Sequence, residues 1–253
     1  VTACPGRLLD HIGRGTIDLS AIEILILDEA DRMFDIGFLP DIRKILSHLP
    51  QQRQNLLFAA TMPREISGLA SEILVHPVRL QIGEIAPAKT VSHTCYAVQS
   101  TSKTALLKDI LSETEMESVL VFTRTKREAE SLALQLVKGG YDAVALHGNM
   151  QQKERQRTLN GFRDGLTKIM VATDIAARGI DVTRVSHVIN YDMPDTMDAY
   201  THRIGRTGRA SRTGDAYNFI TVKDIAILGI LKDVLGDALK YAGADGAGGF
   251  LWP

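Results

Sequence analysis

Apolar residues recur along this chain in two alternating rhythms. Short runs that are wholly or mostly apolar, at 24–27, 55–59, 119–123, 143–146, 168–172, 185–190 and 215–221, read as strands. An unbroken run such as Ile24-Leu25-Ile26-Leu27 suits a strand buried on both faces. Between these runs, helical spacing predicts helices over 5–13, 38–48, a stretch opened by Pro63, 126–138, 151–163, 196–204 and 224–235. Pro5 starts the first, with Leu8, Leu9 and Ile12 on one side. Ile66, Leu69, Ala70, Ile73 and Leu74 line the stretch after Pro63, and Ala129, Leu132, Ala133 and Leu136 form a stripe that Gly139-Gly140 ends. Strand–helix alternation of this kind predicts an α/β protein with parallel sheets.

The alternation is interrupted once. His76-Pro77 closes a helix, and 83–92, with Pro87 and little apolar content, reads as a linker. The expected organisation is a first unit over 1–82, a more complete second unit over 93–235, and a Gly-rich tail over 236–253 too poor in apolar residues to pack.

Composition narrows the class. The chain has 253 residues, 45% apolar and 23% charged, enough for one or two ordinary cores. No apolar run reaches the roughly 18 residues of a membrane span and no signal peptide opens the chain, so a soluble cytoplasmic protein without membrane contact is expected. Cys4 and Cys95 are far apart and have no CxxC partner, which suggests free buried thiols rather than a disulfide or zinc framework. A net charge of −1 requires any nucleic-acid footprint to be local.

Candidate chemistry begins where the first strand ends. Asp28-Glu29-Ala30-Asp31 follows Leu27 directly, and ligands in open α/β sheets collect at the carboxyl ends of strands. Carboxylates this close repel unless a cation or proton relieves them, and hard oxygen donors suit Mg²⁺. The alternative is a solvated acidic turn. Far along the chain, His202-Arg203-Ile204-Gly205-Arg206-Thr207-Gly208-Arg209 and Arg212 place four arginines at intervals of three with no acid between them. Like charges so spaced need an anion to offset them, and guanidinium forks suit a transferring phosphoryl group. A basic face serving solubility is the alternative.

Together these segments resemble the DEAD-box RNA helicases. Cys4-Pro5-Gly6-Arg7 is similar to the family's TPGR segment, Phe58-Ala59-Ala60-Thr61 to its SAT motif, and Val121-Phe122-Thr123-Arg124 to motif IV. Leu146-His147-Gly148 with Gln152, Arg155 and Phe162 follows the next element, and Ala172-Thr173-Asp174 through Gly179-Ile180-Asp181 resembles motif V. The resemblance spans about residues 1–232 in family order and is strongest to bacterial RhlE-type members. It implies two RecA-like lobes, the first only partly present, and an ATP-dependent RNA helicase with ATP and Mg²⁺ as cofactors and RNA as partner.

The resemblance also implies roles. Asp28 would hold Mg²⁺ through water and Glu29 would position the hydrolytic water. Asp31, Thr61 and His202 would couple the motifs, Arg206 and Arg209 would be arginine fingers, and Asp181 would bind the ribose. Pro5, Gly6, Arg7, Gln152, Arg155, Thr173 and Gly179 would grip the RNA backbone without reading sequence, the 2′-OH favouring RNA over DNA. The residues alone leave plainer readings: a solvated charged face around Gln152 and Arg155, a core His202, a turn-capping Asp181, and core roles for Phe122 and Phe162.

Three departures matter. No Gly is followed by Lys, so the phosphate cradle GxxxxGK[ST] is missing, as is the family's adenine-reading segment, and the chain reads as a fragment of a longer helicase. A non-catalytic RNA binder and a DNA-acting helicase of the same superfamily remain as alternatives. Ala59 stands where the motif has Ser, so Asp31 is expected to lean on His202 or water. Cys4 stands where a Thr would cap the helix opened by Pro5.

Overall fold

The structure is a computed structural model that describes all residues except 36, 63, 82–89, 114–115, 178–184, 209–212 and 243–253, and the side chains of 35 and 175. The chain divides into two compact units, Val1–Ile85 and Ala86–Pro253.

In the first unit, helix α1 (Pro5–Gly13) precedes β1 (Ile24–Leu27), α2 (Ala30–Asp35), α3 (Leu39–Leu46), β2 (Gln54–Leu57) and α4 (Arg64–Ile73). The two strands pair in parallel, Ile24 opposite Gln54 and Leu27 opposite Leu57. Leu27, Ile42, Leu69 and Ile73 form the core, with Leu25, Leu39 and Leu57 packed on it. β1 departs from the expectation of a strand buried on both faces: Ile24 and Ile26 are 54% and 56% exposed. Alternation sends them to the face of this two-stranded sheet opposite the core that Leu27 enters.

The second unit holds β3 (Val91–Ala97), α5 (Lys103–Glu113), β4 (Val119–Phe122), α6 (Lys126–Lys138), β5 (Ala143–Leu146), α7 (Gln152–Arg163), β6 (Ile169–Ala172), α8 (Asp174–Ala177), β7 (His187–Asn190), α9 (Met197–Ile204), β8 (Gly214–Ile220), α10 (Ile225–Leu235) and β9 (Leu239–Ala242). All seven strands are parallel, in the order β5-β6-β4-β7-β8-β3-β9. One face packs Leu120, Phe122, Met170, Val188 and Tyr200, the other Val119, Val121, Leu132, Leu136, Ile169 and Phe219. β4, β6 and β7 are therefore buried on both sides, as the unbroken apolar runs of β4 and β6 require, while β7 buries His187 and Asn190 around Val188-Ile189.

Three segments correct the sequence reading. β3 begins at Val91, inside the expected linker 83–92, and its inward positions are Val91, His93, Cys95 and Ala97. Two of those four are not obviously apolar, which hides the period-two pattern. α5 lies in a stretch assigned no helix. β9 pairs with β3 within the tail expected to be disordered, where a four-residue strand follows Gly236 at φ 50°. Phe162 and Phe122 are core residues, as read. Of the two cysteines only Cys95 is buried; Cys4 is exposed.

Candidate functional site

The acidic segment sits on a backbone that few residues adopt. β1 ends at Leu27, the Phe58 N–H bonds the Leu27 carbonyl at 2.8 Å and the Ala30 N–H bonds the Phe58 carbonyl at 3.0 Å, so the chain turns sharply into α2. Glu29 takes the turn at φ 51°, a left-handed conformation costing a non-glycine residue about 1–2 kcal/mol. Strain of that kind collects at functional positions. Asp28 and Glu29 are both exposed. Asp28 Oδ1 accepts the Glu29 N–H at 2.9 Å, and Glu29 Oε2 accepts from Arg32 Nη1 at 2.5 Å.

Asp31 points elsewhere. It is 6% exposed, and its Oδ2 accepts both the Thr61 N–H at 2.9 Å and the Thr61 hydroxyl at 3.1 Å, while Oδ1 accepts the Arg32 N–H at 3.0 Å. The hydroxyl missing at Ala59 is thus replaced by Thr61, two residues on, and Asp31 needs neither His202 nor water for these bonds. Of the acidic cluster only Asp28 and Glu29 remain open to a ligand. Asp28 Oδ2 is the oxygen that would meet a water of a hydrated cation. Among the described residues no cluster of three or more Asp, Glu, His or Cys side chains could hold a metal by itself. Mg²⁺ suits this arrangement, since it retains waters and takes few carboxylates when phosphates supply the rest.

In the second unit the candidate RNA contacts converge at the carboxyl ends of β5 and β6. The Thr173 N–H bonds the Leu146 carbonyl at 3.3 Å, and Arg155 Nη2 donates to the Ala176 carbonyl at 2.9 Å, holding α7 to α8. Gln152 is exposed at the start of α7, and Arg155 and Thr173 are half-buried. Pro5 is buried at the start of α1, while Gly6 and Arg7 are exposed. Arg7 pairs with Asp10 at 3.4 Å. Cys4 provides no side-chain cap, as its thiol suggests.

The arginine segment is partly neutralised from within. Arg203, 3% exposed, is bidentate to Asp174, with Nε to Oδ1 at 2.6 Å and Nη2 to Oδ2 at 2.8 Å. Its Nη1 donates to Asn190 Oδ1 and to the Asp192 carbonyl, and its guanidinium lies 4.8 Å from the Phe122 ring centroid. One of the spaced arginines is therefore offset by a protein carboxylate, not by a ligand. Thr207 anchors the following turn, its hydroxyl donating to the Val185 and Ser186 carbonyls. A Cβ at Gly214 would stand 2.1 Å from Thr207 Oγ1 and 2.7 Å from the Gly208 nitrogen, so only glycine fits there.

His202 and Arg206 line a cleft with Phe122, Asp174, Ala177 and Ala199, and Arg206 Nε donates to the His202 carbonyl at 3.3 Å. Gly179, Asp181 and Arg209 lie outside the described residues.

A buried polar chain continues behind Arg203 and was not read from the sequence. Asn190 Nδ2 donates to Asn218 Oδ1 at 2.8 Å, Asn218 Nδ2 lies 3.3 Å from the Tyr200 hydroxyl, and that hydroxyl lies 2.8 Å from His93 Nδ1. Burial lowers His93 to about 4, pushes the Cys95 thiol up to about 12 and raises Tyr200. His187 and Asn190 flanking Val188-Ile189 in the apolar run of β7 were the available signal. On the other side of the sheet, Lys103 Nζ meets Asp192 Oδ1 at 2.7 Å in a buried pair.

Two family models match the chain, DEAD/DEAH box helicase over residues 1–69 and Helicase conserved C-terminal domain over 102–211. The chain is 42% identical over 243 residues to the ATP-dependent RNA helicase DBP2 of Candida glabrata, covering 94% of this chain and 45% of that protein. It is 42% identical to the DEAD-box ATP-dependent RNA helicase CshA of Geobacillus kaustophilus, covering 90% of this chain and 49% of the relative. The chain thus spans about half the length of these relatives. Its fold is similar to S. cerevisiae Dbp5 bound to RNA and ADP BeF3, with TM-score 0.85 and 31% identity over 95% of this chain and 64% of that one. It also matches E. coli DEAD-box protein SrmB, solved with the regulator RraA, with TM-score 0.58 and 36% identity over 62% of this chain and 94% of that one. With the Asp28–Asp31 tetrapeptide and the His202–Gly208 segment placed at strand and helix ends as described, the chain belongs to the DEAD-box RNA helicase family.

Proposed function

We propose that this chain is part of an ATP-dependent RNA helicase that grips the RNA backbone and couples ATP hydrolysis to local duplex unwinding or remodelling of RNA–protein complexes. Asp28, Glu29, Asp181, Arg206 and Arg209 act on the nucleotide, the roles that membership of the family implies. Asp28 would hold Mg²⁺ through water, and the ion would supply charge neutralisation on the phosphates. Glu29, already on a tight turn beside Asp28, orients the attacking water. Arg206 offsets charge that builds on the phosphoryl oxygens.

Gln152, Arg155, Thr173 and Gly179, with Pro5, Gly6 and Arg7, hold sugar and phosphate groups, so binding carries little sequence preference. The observation that supports coupling most directly is the Asp174–Arg203 pair: Asp174 follows the RNA-side Thr173, and Arg203 lies one helical turn before the nucleotide-side Arg206. A shift at either end is transmitted to the other through this bidentate contact, in which Arg203 is buried and Asp174 half-buried. ATP and RNA are both met in the cytoplasm, where the enzyme is placed by this reading.

The test is binding of the chain to single-stranded RNAs of unrelated sequence over a salt series. Weak binding that falls as salt rises, and an Arg155→Ala variant weakened about equally for every sequence, are expected. Salt-insensitive, sequence-selective binding would overturn the reading. Comparison of the same oligonucleotides as DNA separates an RNA enzyme from a DNA-acting one.

A further inference from the structure

The outer side of α10 is unusually apolar for a solvent face. Val222, just before the helix, and Ile225, Ile230 and Val234 are 64%, 46%, 44% and 47% exposed, whereas Ile227, Leu228 and Leu231 enter the core. Ala226 and Gly229 are exposed between them. A contiguous apolar patch marks an interaction surface more often than scattered residues do. At its middle, Gly229 faces open space and carries no side chain to hold a neighbour away.

The charges at its ends select the partner. Lys223 is exposed at the amino end, and Asp233 and Asp237 are exposed at the carboxyl end. Asp224 at the N-cap and Lys232 in the last turn already follow the helix dipole, whereas Lys223 and Asp233 run against it and are free of that role. We infer that this face binds the same face of a second copy of the chain, with the two helices antiparallel and crossing near Gly229. Lys223, in the turn just before α10, and Leu235, its last residue, each lie six residues from Gly229, so a two-fold axis there brings Lys223 of one copy toward Asp233 of the other. Both misplaced charges are then offset, twice per dimer, while a parallel pair would oppose Lys223 to Lys223. An 11-residue helix is about 16 Å long, so the contact falls below the roughly 800 Å² per partner of a standard interface and the dimer is weak.

Sedimentation equilibrium of the RNA-free chain over a concentration series tests this independently of the helicase reading. The average mass should climb from monomer toward dimer, and Ile230→Glu should weaken association at least tenfold. Lys223→Glu alone and the double variant Asp233→Lys/Asp237→Lys alone should each weaken self-association, whereas mixing them should restore it at least tenfold as a heterodimer. All these side chains are exposed, and circular dichroism confirms that each variant folds. A chain monomeric throughout, as expected if another protein's segment is the occupant, overturns the inference. So does an Ile230→Glu variant that associates normally, or a mixture that gains nothing.

Discussion

Arg203 shows how one side chain can organise a site without meeting a ligand. Its guanidinium is desolvated, stacked against Phe122 and committed to Asp174, Asn190 and the Asp192 carbonyl. Removing Asp174 leaves the buried Arg203 charge uncompensated; a fully buried pair loses about 3–5 kcal/mol in this way, and the partial exposure of Asp174 puts this one at the lower end. Asp174→Ala should therefore lower the stability of the second unit by about 3 kcal/mol in urea unfolding, with RNA affinity falling as Thr173 and Arg206 lose their common anchor. A second residue-scale effect comes from His93. Its burial beside Tyr200 lowers it to about 4, so the unfolded chain binds the proton that the folded chain refuses. Stability from this group is complete above pH 6.5 and is lost as pH falls from 6.5 toward 4. Melting profiles of the chain against a His93→Gln variant should converge less steeply with acid in the variant, the difference being on the order of 2–3 kcal/mol at pH 4.

At the scale of elements, two helix starts contrast. α6 opens with a complete capping box, in which the Thr125 hydroxyl accepts the Glu128 N–H and Glu128 accepts the Thr125 N–H. α1 opens on Cys4 with no side-chain cap. Thr125→Ala should cost about 1 kcal/mol, and Cys4→Ser should add about 0.5–1 kcal/mol to the first unit, both read by thermal unfolding. The capping box of α6 was written in Thr-x-x-Glu, and most helices were legible from their apolar spacing. β3 was not, because His93 and Cys95 occupy inward positions that a core of polar and sulfur groups accepts only once Tyr200 and Asn218 are beside them.

At the scale of the whole chain, chemistry depends on parts the sequence lacks as well as those it has. No Gly is followed by Lys, so the backbone cradle and lysine that hold ATP phosphates in this family are missing from these 253 residues. Positioning supplies most of phosphoryl-transfer catalysis. The chain alone should hydrolyse no ATP above a Glu29→Gln control, with or without RNA. A phosphate-release assay checks this, and RNA-stimulated turnover would contradict it.

By itself the sequence determined the parallel α/β alternation and the segments that resemble the family's motifs, because periodicity and strand-end motifs are local and additive. Only the tertiary structure decided which charges are buried and paired within the chain. Asp31 and Arg203 read as members of an acidic cluster and an arginine series, yet folding turns one onto Thr61 and the other onto Asp174. Partners 30 and 29 residues away leave no mark in local pattern. Desolvation makes such partners obligatory, since a buried charge must find its counterpart wherever the chain brings it.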